Sequence, residues 1–213
     1  MATTMKRQIL NYFTHPSFLD FDQKQGVLRT RGGTRLCVVN EDFLRGFVNA
    51  VEHETGQATP IILRRCGKFF GERLARRFET ELTEFSGVSM RDRAMYEFSA
   101  LVQDMWLGCG MGEITVQWEM GQHGFLPIVL QGDPMVEIDA GNQTMDDLFA
   151  GILEGFIGHF AGGELHCVQT GDERIGSADG TTFVVANQEL AKKVEPLVKD
   201  KTTHSEIVRQ LVN

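Results

Sequence analysis

The chain has 213 residues, of which 42% are hydrophobic and 23% charged, so it can bury one ordinary domain core. Its formal net charge of -8 excludes a broad nucleic-acid-binding surface, because an acidic protein repels the phosphate backbone. Its cysteines lack Cys-x-x-Cys spacing, which predicts reduced thiols and argues against a zinc ribbon or a redox pair; they are Cys37, Cys66, Cys109 and Cys167.

In chain order, the first 39 residues predict an extension that ends in a hairpin, with strand-like runs at 26–30 and 35–39. Asn40 is a typical helix N-cap, and it predicts a helix that ends at Gly56. Two further helices are predicted from apolar residues at helical spacing. They run over 62–85 and from the capping-box pattern at Ser89 to the glycines 108, 110 and 112.

From residue 113 onward the hydrophobic period becomes two, which predicts antiparallel strands. The remaining predicted elements are strands at 113–119, 125–130 and 135–138, a helix over 144–160, strands at 164–170 and 181–186, and a polar helical tail. This order predicts an α+β fold, with an antiparallel sheet of about four to five strands and helices packed on one face. We divide the sequence into an N-terminal extension (1–39), a central domain (40–187) and a C-terminal helical tail (188–213).

The sequence has no stretch typical of a secretory signal or a membrane span. The longest apolar run, from Leu148 to Ala161, is too short to cross a bilayer and carries Glu154 and His159. We therefore expect a cytoplasmic protein whose contact with membranes is at most peripheral.

Glycines recur at helical spacing in two of the predicted helices. Gly151, Gly155 and Gly158 share one face of the helix over 144–160, and Gly67 and Gly71 are four residues apart in the helix over 62–85. Each glycine weakens a helix by about 1 kcal/mol relative to alanine, so the recurrence needs a reason. Either these faces pack closely against the sheet or another helix, or a bare backbone leaves room for a flat ligand.

His166 and Cys167 are the candidate metal ligands, because imidazole and thiolate suit borderline and soft metals. In an extended strand Glu164 lies on the same face as His166, whereas Cys167 lies on the opposite face. The same pattern is typical of a buried thiol between two polar surface residues. No nucleophile elbow, phosphate loop or dinucleotide fingerprint occurs in the sequence, and we predict no catalytic residue.

Three motifs resemble the vinyl-4-reductase domain family, over residues 40 to about 185. They are Phe43-Leu44-Arg45-Gly46-Phe47, Arg65-Cys66-Gly67-Lys68-Phe69-Phe70-Gly71-Glu72-Arg73-Leu74-Ala75, and Glu164-x-x-Cys167 followed by Gly171-Asp172. The resemblance implies a small-molecule-binding domain whose fold is similar to that of vesicle-tethering complex subunits and haem-nitric-oxide-binding domains. The family commonly has a second cysteine a few residues after Gly-Asp, and this chain has none there.

The resemblance also implies a function: non-enzymatic binding of a tetrapyrrole such as chlorophyll or a precursor, as a carrier or a photosystem II assembly factor of the kind found in cyanobacteria. It implies a homodimer, photosystem assembly proteins as partners, and peripheral contact with the thylakoid membrane. Aromatic and small side chains together suit a flat ligand. The candidate pocket residues are Phe69, Phe70, Leu74, Trp106, Trp118, Phe149, Gly151, Ile152, Gly155 and Phe156.

Two other functions fit the same residues. The first is a protein-interaction module that homodimerises through helix faces, with the candidate pocket residues forming a solid core. The second is a tetrapyrrole vinyl reductase, which would need a reductant supplied from elsewhere because the sequence has no cofactor fingerprint. We expect a binding protein rather than an enzyme, with a tetrapyrrole as its candidate cofactor.

Overall fold

Seven strands and six helices are formed by the residues that the computed structural model describes, which are 11–134, 144–172 and 180–212. The strands are β1 (Leu19–Asp22), β2 (Val27–Thr30), β3 (Arg35–Leu36), β4 (Glu113–Val116), β5 (Phe125–Gln131), β6 (His166–Gly171) and β7 (Thr181–Ala186). The helices are α1 (Glu41–Thr55), α2 (Thr59–Ser86), α3 (Met95–Gly108), α4 (Thr144–Ala161), α5 (Gln188–Lys199) and α6 (His204–Val212). The predicted α+β fold is confirmed.

The main sheet is antiparallel, with the strand order β4-β5-β7-β6. Its central strand β7 is buried along its whole length and separates two apolar clusters. Phe183 and Val185 belong to one cluster, and Val184 and Ala186 belong to the other. This alternation is the period of two that an extended strand imposes. The predicted strand over 135–138 lies outside the described residues.

Helices cover both faces of this sheet, whereas the sequence predicted helices on one face, because the C-terminal helices pack on the second face. On one face, α3 and α4 contribute Trp106 and Phe156 to the larger cluster. On the other face, Val194 of α5 and Ile207 of α6 are buried beside Phe125 of β5. The helical tail predicted after residue 187 therefore supplies a second core.

A smaller antiparallel sheet, β1-β2-β3, precedes the helices. It contains the predicted hairpin, in which Leu28 of β2 pairs with Leu36 of β3. The segment before it is tied to α3, because the carboxylate of Asp104 accepts hydrogen bonds from the Phe13 backbone N–H at 2.8 Å and the Thr14 hydroxyl at 2.5 Å. Phe13 thereby joins the same core as the helices. The domain boundary at residue 39 stays a prediction.

Local signals predicted many of the helix and strand ends, but the start of α3 and the end of β4 differ from the prediction. Asn40 caps α1 as expected, accepting a hydrogen bond from the Phe43 N–H at 3.1 Å. Ser89, however, caps only a 3-10 turn, and α3 begins six residues later at Met95. The strand predicted over 113–119 stops at Val116, because a second 3-10 turn follows it. Among the described residues, no helix combines the length and apolarity needed to cross a bilayer.

Candidate ligand-binding site

The glycines of α2 bring its backbone directly onto α4. A Cβ atom built on Gly67 would overlap the carbonyl oxygen of Leu148, and one built on Gly71 would overlap the carbonyl oxygen of Ile152. Such overlaps leave hydrogen as the only side chain that fits at these two positions. The two helices therefore approach as closely as their backbones allow, which favours Cα–H···O contacts.

The glycines of α4 form the other half of the same contact. Gly151 lies against the carbonyl oxygen of Arg64, and Gly155 lies against that of Lys68. Close packing between the two helices therefore accounts for Gly67, Gly71, Gly151 and Gly155, whereas Gly158 lies beside the carbonyl oxygen of Gly163 instead. No room for a ligand remains between α2 and α4 at Gly151 and Gly155, two of the predicted pocket residues.

Charged side chains hold the edge of this contact. The Arg64 guanidinium lies 3.3 Å from an oxygen of Asp147 and 3.3 Å from Oε1 of Glu154. That same Glu154 oxygen accepts a hydrogen bond from the Cys167 backbone N–H at 2.9 Å. Burial raises the pKa of Asp147, and the neighbouring Arg64 opposes the shift. Arg64 and Glu154 thus link α2, α4 and β6.

A cavity of about 810 Å³ lies beside this helix pair, between α2, α4, the end of α3 and the small sheet. Its volume is within the range of roughly 300–1,000 Å³ that small-molecule sites occupy. Most of its wall is apolar, as such sites usually are. Its apolar lining residues are Phe13, Phe18, Leu19, Leu28, Leu36, Val38, Val39, Leu44, Phe70, Leu74, Phe78, Met105, Met111, Pro134, Leu148, Phe149 and Ile152.

Four charged side chains interrupt the apolar wall: Arg35, Glu41, Arg77 and Glu81. Arg77 and Glu81 are one helical turn apart on α2, so both side chains lie on the same side of that helix. Arg77 makes no ion pair with any described residue, Glu81 included. The cavity wall therefore carries a positive side chain, Arg77, and a negative one, Glu81, that form no ion pair with each other.

Cys109 also lines the cavity. Cys109 is an exposed residue, although other residues of the cavity wall flank its thiol. Burial of the thiol among them raises the pKa of Cys109 to about 11; Arg77 opposes the shift and Glu81 adds to it. Burial likewise raises the pKa of Tyr12 to about 12, and the negative charge of Glu81 is the second cause.

The cavity brings together four of the ten predicted pocket residues, namely Phe70, Leu74, Phe149 and Ile152. The first two come from α2 and the other two from α4. The cavity therefore borders the close contact between α2 and α4: Ile152 lines the cavity, and its carbonyl oxygen meets Gly71.

The other aromatic candidates lie away from the cavity. Trp106 and Phe156 pack edge to face in the core with ring centroids 5.6 Å apart. Trp118 packs against Phe98 in the same way at 5.2 Å. Phe69 is 53% exposed on the outer side of α2. Residues at these positions serve the solid core or the surface, and none of the four lines the cavity.

The wall that the first 39 residues supply was not predicted from the sequence. This segment was predicted to be an extension, yet Phe13, Phe18, Leu28 and Leu36 all line the cavity. One signal was available, because Leu28 and Leu36 are the apolar members of two short strands that a hairpin pairs with each other.

The metal-ligand candidates separate as strand alternation requires. Cys167 is buried in the core beneath α4, where burial raises the pKa of its thiol. His166 is only half-buried and lies near the exposed Glu164. Within the described ranges, no three histidine, cysteine, aspartate or glutamate side chains are grouped in a way that could hold a metal ion.

Comparison with known proteins identifies the fold. No protein-family model matches the chain, and no curated protein matches it either. The phenol-responsive sensory domain of the transcription activator PoxR, solved with phenol, has a similar structure: the TM-score is 0.62 at 13% identity, over 93% of this chain and 98% of that one. A trafficking protein particle complex subunit 3 from Naegleria fowleri, covalently bound to palmitic acid, has a TM-score of 0.50 at 16% identity, over 69% of this chain and 94% of that one.

Proposed function

We propose that this chain binds an apolar small molecule in the cavity between the small sheet and helices α2 and α4. The observation that carries the proposal is the cavity itself, with its volume of about 810 Å³ and its largely apolar wall. A well-formed apolar pocket with a few polar groups is the default candidate for a ligand site. The two similar structures support it, because one was solved with phenol and the other with covalently bound palmitic acid.

A tetrapyrrole is the more specific ligand that we propose, in line with the resemblance to vinyl-4-reductase domains. Aromatic side chains such as Phe70 and Phe149 offer flat apolar surface to a macrocycle. A role in photosystem II assembly and contact with the thylakoid membrane stay predictions, as do membership of the vinyl-4-reductase family and homodimer formation.

The test is a titration with N-phenyl-1-naphthylamine, a neutral dye that fluoresces in apolar surroundings, followed by displacement with candidate ligands. We expect saturable binding to the wild-type chain. The variant Leu148→Trp places a larger side chain in the cavity wall and should abolish binding. Ile61→Trp is the matched control, because Ile61 is exposed on α2 and does not line the cavity.

Four outcomes are informative. Displacement by chlorophyllide or protoporphyrin, but not by palmitic acid, supports the tetrapyrrole proposal. Displacement by palmitic acid alone supports only the broader proposal of an apolar ligand. Equal dye binding by wild type and Leu148→Trp would contradict the proposal. A native mass twice that of one chain, with no dye bound, would favour the interaction module instead.

A further inference from the structure

Arg77 lies on the face of helix α2 that borders the cavity. The cavity-lining residues of α2 recur every three or four positions, which places them on one face of the helix. They are Phe70, Leu74, Arg77, Phe78 and Glu81. The exposed arginines Arg73 and Arg76 lie on the same helix but do not line the cavity. Arg77 therefore places a positive charge in a wall that is mostly apolar.

The side chain of Arg77 is partly buried and has no partner within the protein. It forms neither an ion pair nor a hydrogen bond with the residues that the structure describes. Two other arginines of α2 differ from it, since Arg64 pairs with Glu154 at 3.3 Å and Arg76 lies 4.0 Å from Glu72. Removing a cation from water costs free energy unless an anion or hydrogen-bond acceptors compensate it. The Arg77 guanidinium therefore has N–H donors to offer to a ligand.

The positive charge of Arg77 is felt on another part of the cavity wall, at Cys109. Burial raises the pKa of the Cys109 thiol, and two charges act on it as well. Arg77 lowers that pKa and has the larger effect of the two, whereas Glu81 raises it. Because such effects decrease with distance, the guanidinium lies near the part of the wall that Cys109 forms. At this point of the cavity the positive charge outweighs the negative one.

The two carboxylates of the wall already have favourable surroundings within the protein. The hydroxyls of Thr30 and Thr34 both donate to Oε1 of Glu81 at 3.1 Å, and Oε2 is inaccessible to solvent. Glu41 lies in the first turn of α1, where the helix dipole stabilises a negative charge. The acidic groups of the wall are thus satisfied without Arg77.

We infer that Arg77 binds the carboxylate of an apolar carboxylic acid whose hydrocarbon part fills the rest of the cavity. The inference rests on the proposed function and names the class of ligand within it. A guanidinium matches the two oxygens of a carboxylate with two parallel N–H donors. Leu74 and Phe70 lie roughly 5 Å and 10 Å from Arg77 along the axis of α2. The hydrocarbon part of the ligand would extend beside them.

The test compares three ligands that share one alkyl chain, namely dodecanoate, 1-dodecanol and dodecylammonium. Each displaces N-phenyl-1-naphthylamine from the wild-type chain below its critical micelle concentration, at about pH 8, where the acid is ionised. We expect dodecanoate to bind roughly 10-fold to 100-fold more tightly than 1-dodecanol, the range of a hydrogen bond to a charged group. Dodecylammonium should bind most weakly, because Arg77 repels it. This comparison needs no variant, so it decides the inference even if substitutions at Arg77 impair folding.

Arg77→Gln then assigns the preference to this residue. The amide keeps a polar side chain but removes the positive charge. We expect dodecanoate to lose most of its advantage in this variant, while an unchanged affinity for 1-dodecanol shows that the cavity is intact. Arg73→Gln is the matched control, since it removes the same charge from an exposed position of α2 that does not line the cavity. It should leave both affinities unchanged.

Fatty acids and tetrapyrroles with propionate side chains share the chemistry that Arg77 recognises. Protoporphyrin and its dimethyl ester distinguish these two sources, because the ester lacks the negative charges. A preference for protoporphyrin over its ester that is lost in Arg77→Gln identifies a tetrapyrrole carboxylate. A preference that depends on Arg77 for dodecanoate alone identifies a fatty acid. Either result supports the inference.

Other results overturn the inference in distinguishable ways. If the wild type binds 1-dodecanol or dodecylammonium as tightly as dodecanoate, the cavity holds apolar ligands without an anchor at Arg77, and the proposed function stands. A preference for dodecanoate that persists in Arg77→Gln means that another group, such as Arg35 in the same wall, binds the carboxylate. If no ligand displaces the dye, the inference is wrong; if the dye itself does not bind, the proposed function is wrong as well.

Discussion

Helix α2 packs directly against α4 in one region and borders the cavity in another. At Gly67 and Gly71 it meets the backbone of α4 with no intervening space, whereas at Phe70, Leu74 and Glu81 it borders the cavity. Small residues on a helix therefore do not by themselves leave room for a ligand, because they let the next helix come closer. Here the cavity lies where large side chains and the small sheet hold neighbouring elements apart.

The largest effect is expected from adding a methyl group to the closed region. Gly155→Ala would place a Cβ atom on the Lys68 carbonyl oxygen and force the helices apart. We expect it to lower the free energy of unfolding by about 3 kcal/mol, the upper part of the range for overpacked cores. The midpoint of urea unfolding would measure this change.

The matched control for that change is Gly46→Ala in α1, where nothing lies within 4 Å of the added Cβ atom. At this position alanine should raise the free energy of unfolding by about 0.5–1 kcal/mol through helix propensity alone. If Gly155→Ala were as stabilising as Gly46→Ala, the backbone contact between α2 and α4 would be wrong.

A smaller effect is expected from a substitution that detaches the segment around Phe13, which forms part of the cavity wall. Asp104→Ala removes the acceptor for the buried Phe13 N–H and the Thr14 hydroxyl. We expect a loss of about 2 kcal/mol in the free energy of unfolding, because the variant leaves these donors unsatisfied. Dye binding should weaken as well, since Phe13 lines the cavity.

Asp92→Ala provides the control for Asp104→Ala, because Asp92 is exposed in the 3-10 turn before α3 and outside the cavity wall. It should change neither stability nor dye affinity measurably. An Asp104→Ala variant that loses stability but binds the dye normally would show that the segment around Phe13 is not needed for the cavity.

The smallest expected effect concerns the chemical reactivity of the Cys109 thiol and involves no change in stability. The pKa of Cys109 is raised from 9.0 to about 11, and the thiolate is the reactive form. At pH 8 the thiolate fraction should therefore be roughly 100-fold lower than that of an ordinary cysteine. Iodoacetamide labelling, followed by peptide mass spectrometry, would measure the rate at Cys109.

The sign of the pH dependence follows from the raised pKa. Because burial disfavours the thiolate, the labelling rate at Cys109 should keep rising through pH 10 and reach half of its maximum only near pH 11. Bound ligand should slow it further, since Cys109 lines the cavity. A rate that reaches half of its maximum near pH 9 would mean that the thiol is solvated and that the wall around it is open.

Local sequence signals determined the type and approximate bounds of most elements. Asn40 predicted the start of α1 because its side chain satisfies a free N–H of the first helical turn, a contact only three residues away. The run Thr182-Phe183-Val184-Val185 predicted a strand, and the glycine spacing predicted unusual faces on α2 and α4. Each of these depends on neighbours within a few residues along the chain.

The tertiary structure alone decided which of two meanings the glycines carry and where the cavity lies. Both depend on contacts between distant residues, such as Gly155 with Lys68 and Thr30 with Glu81. A helix face of one and the same composition can pack against another backbone or border a ligand. The distance between the elements makes the difference, and long-range packing sets that distance.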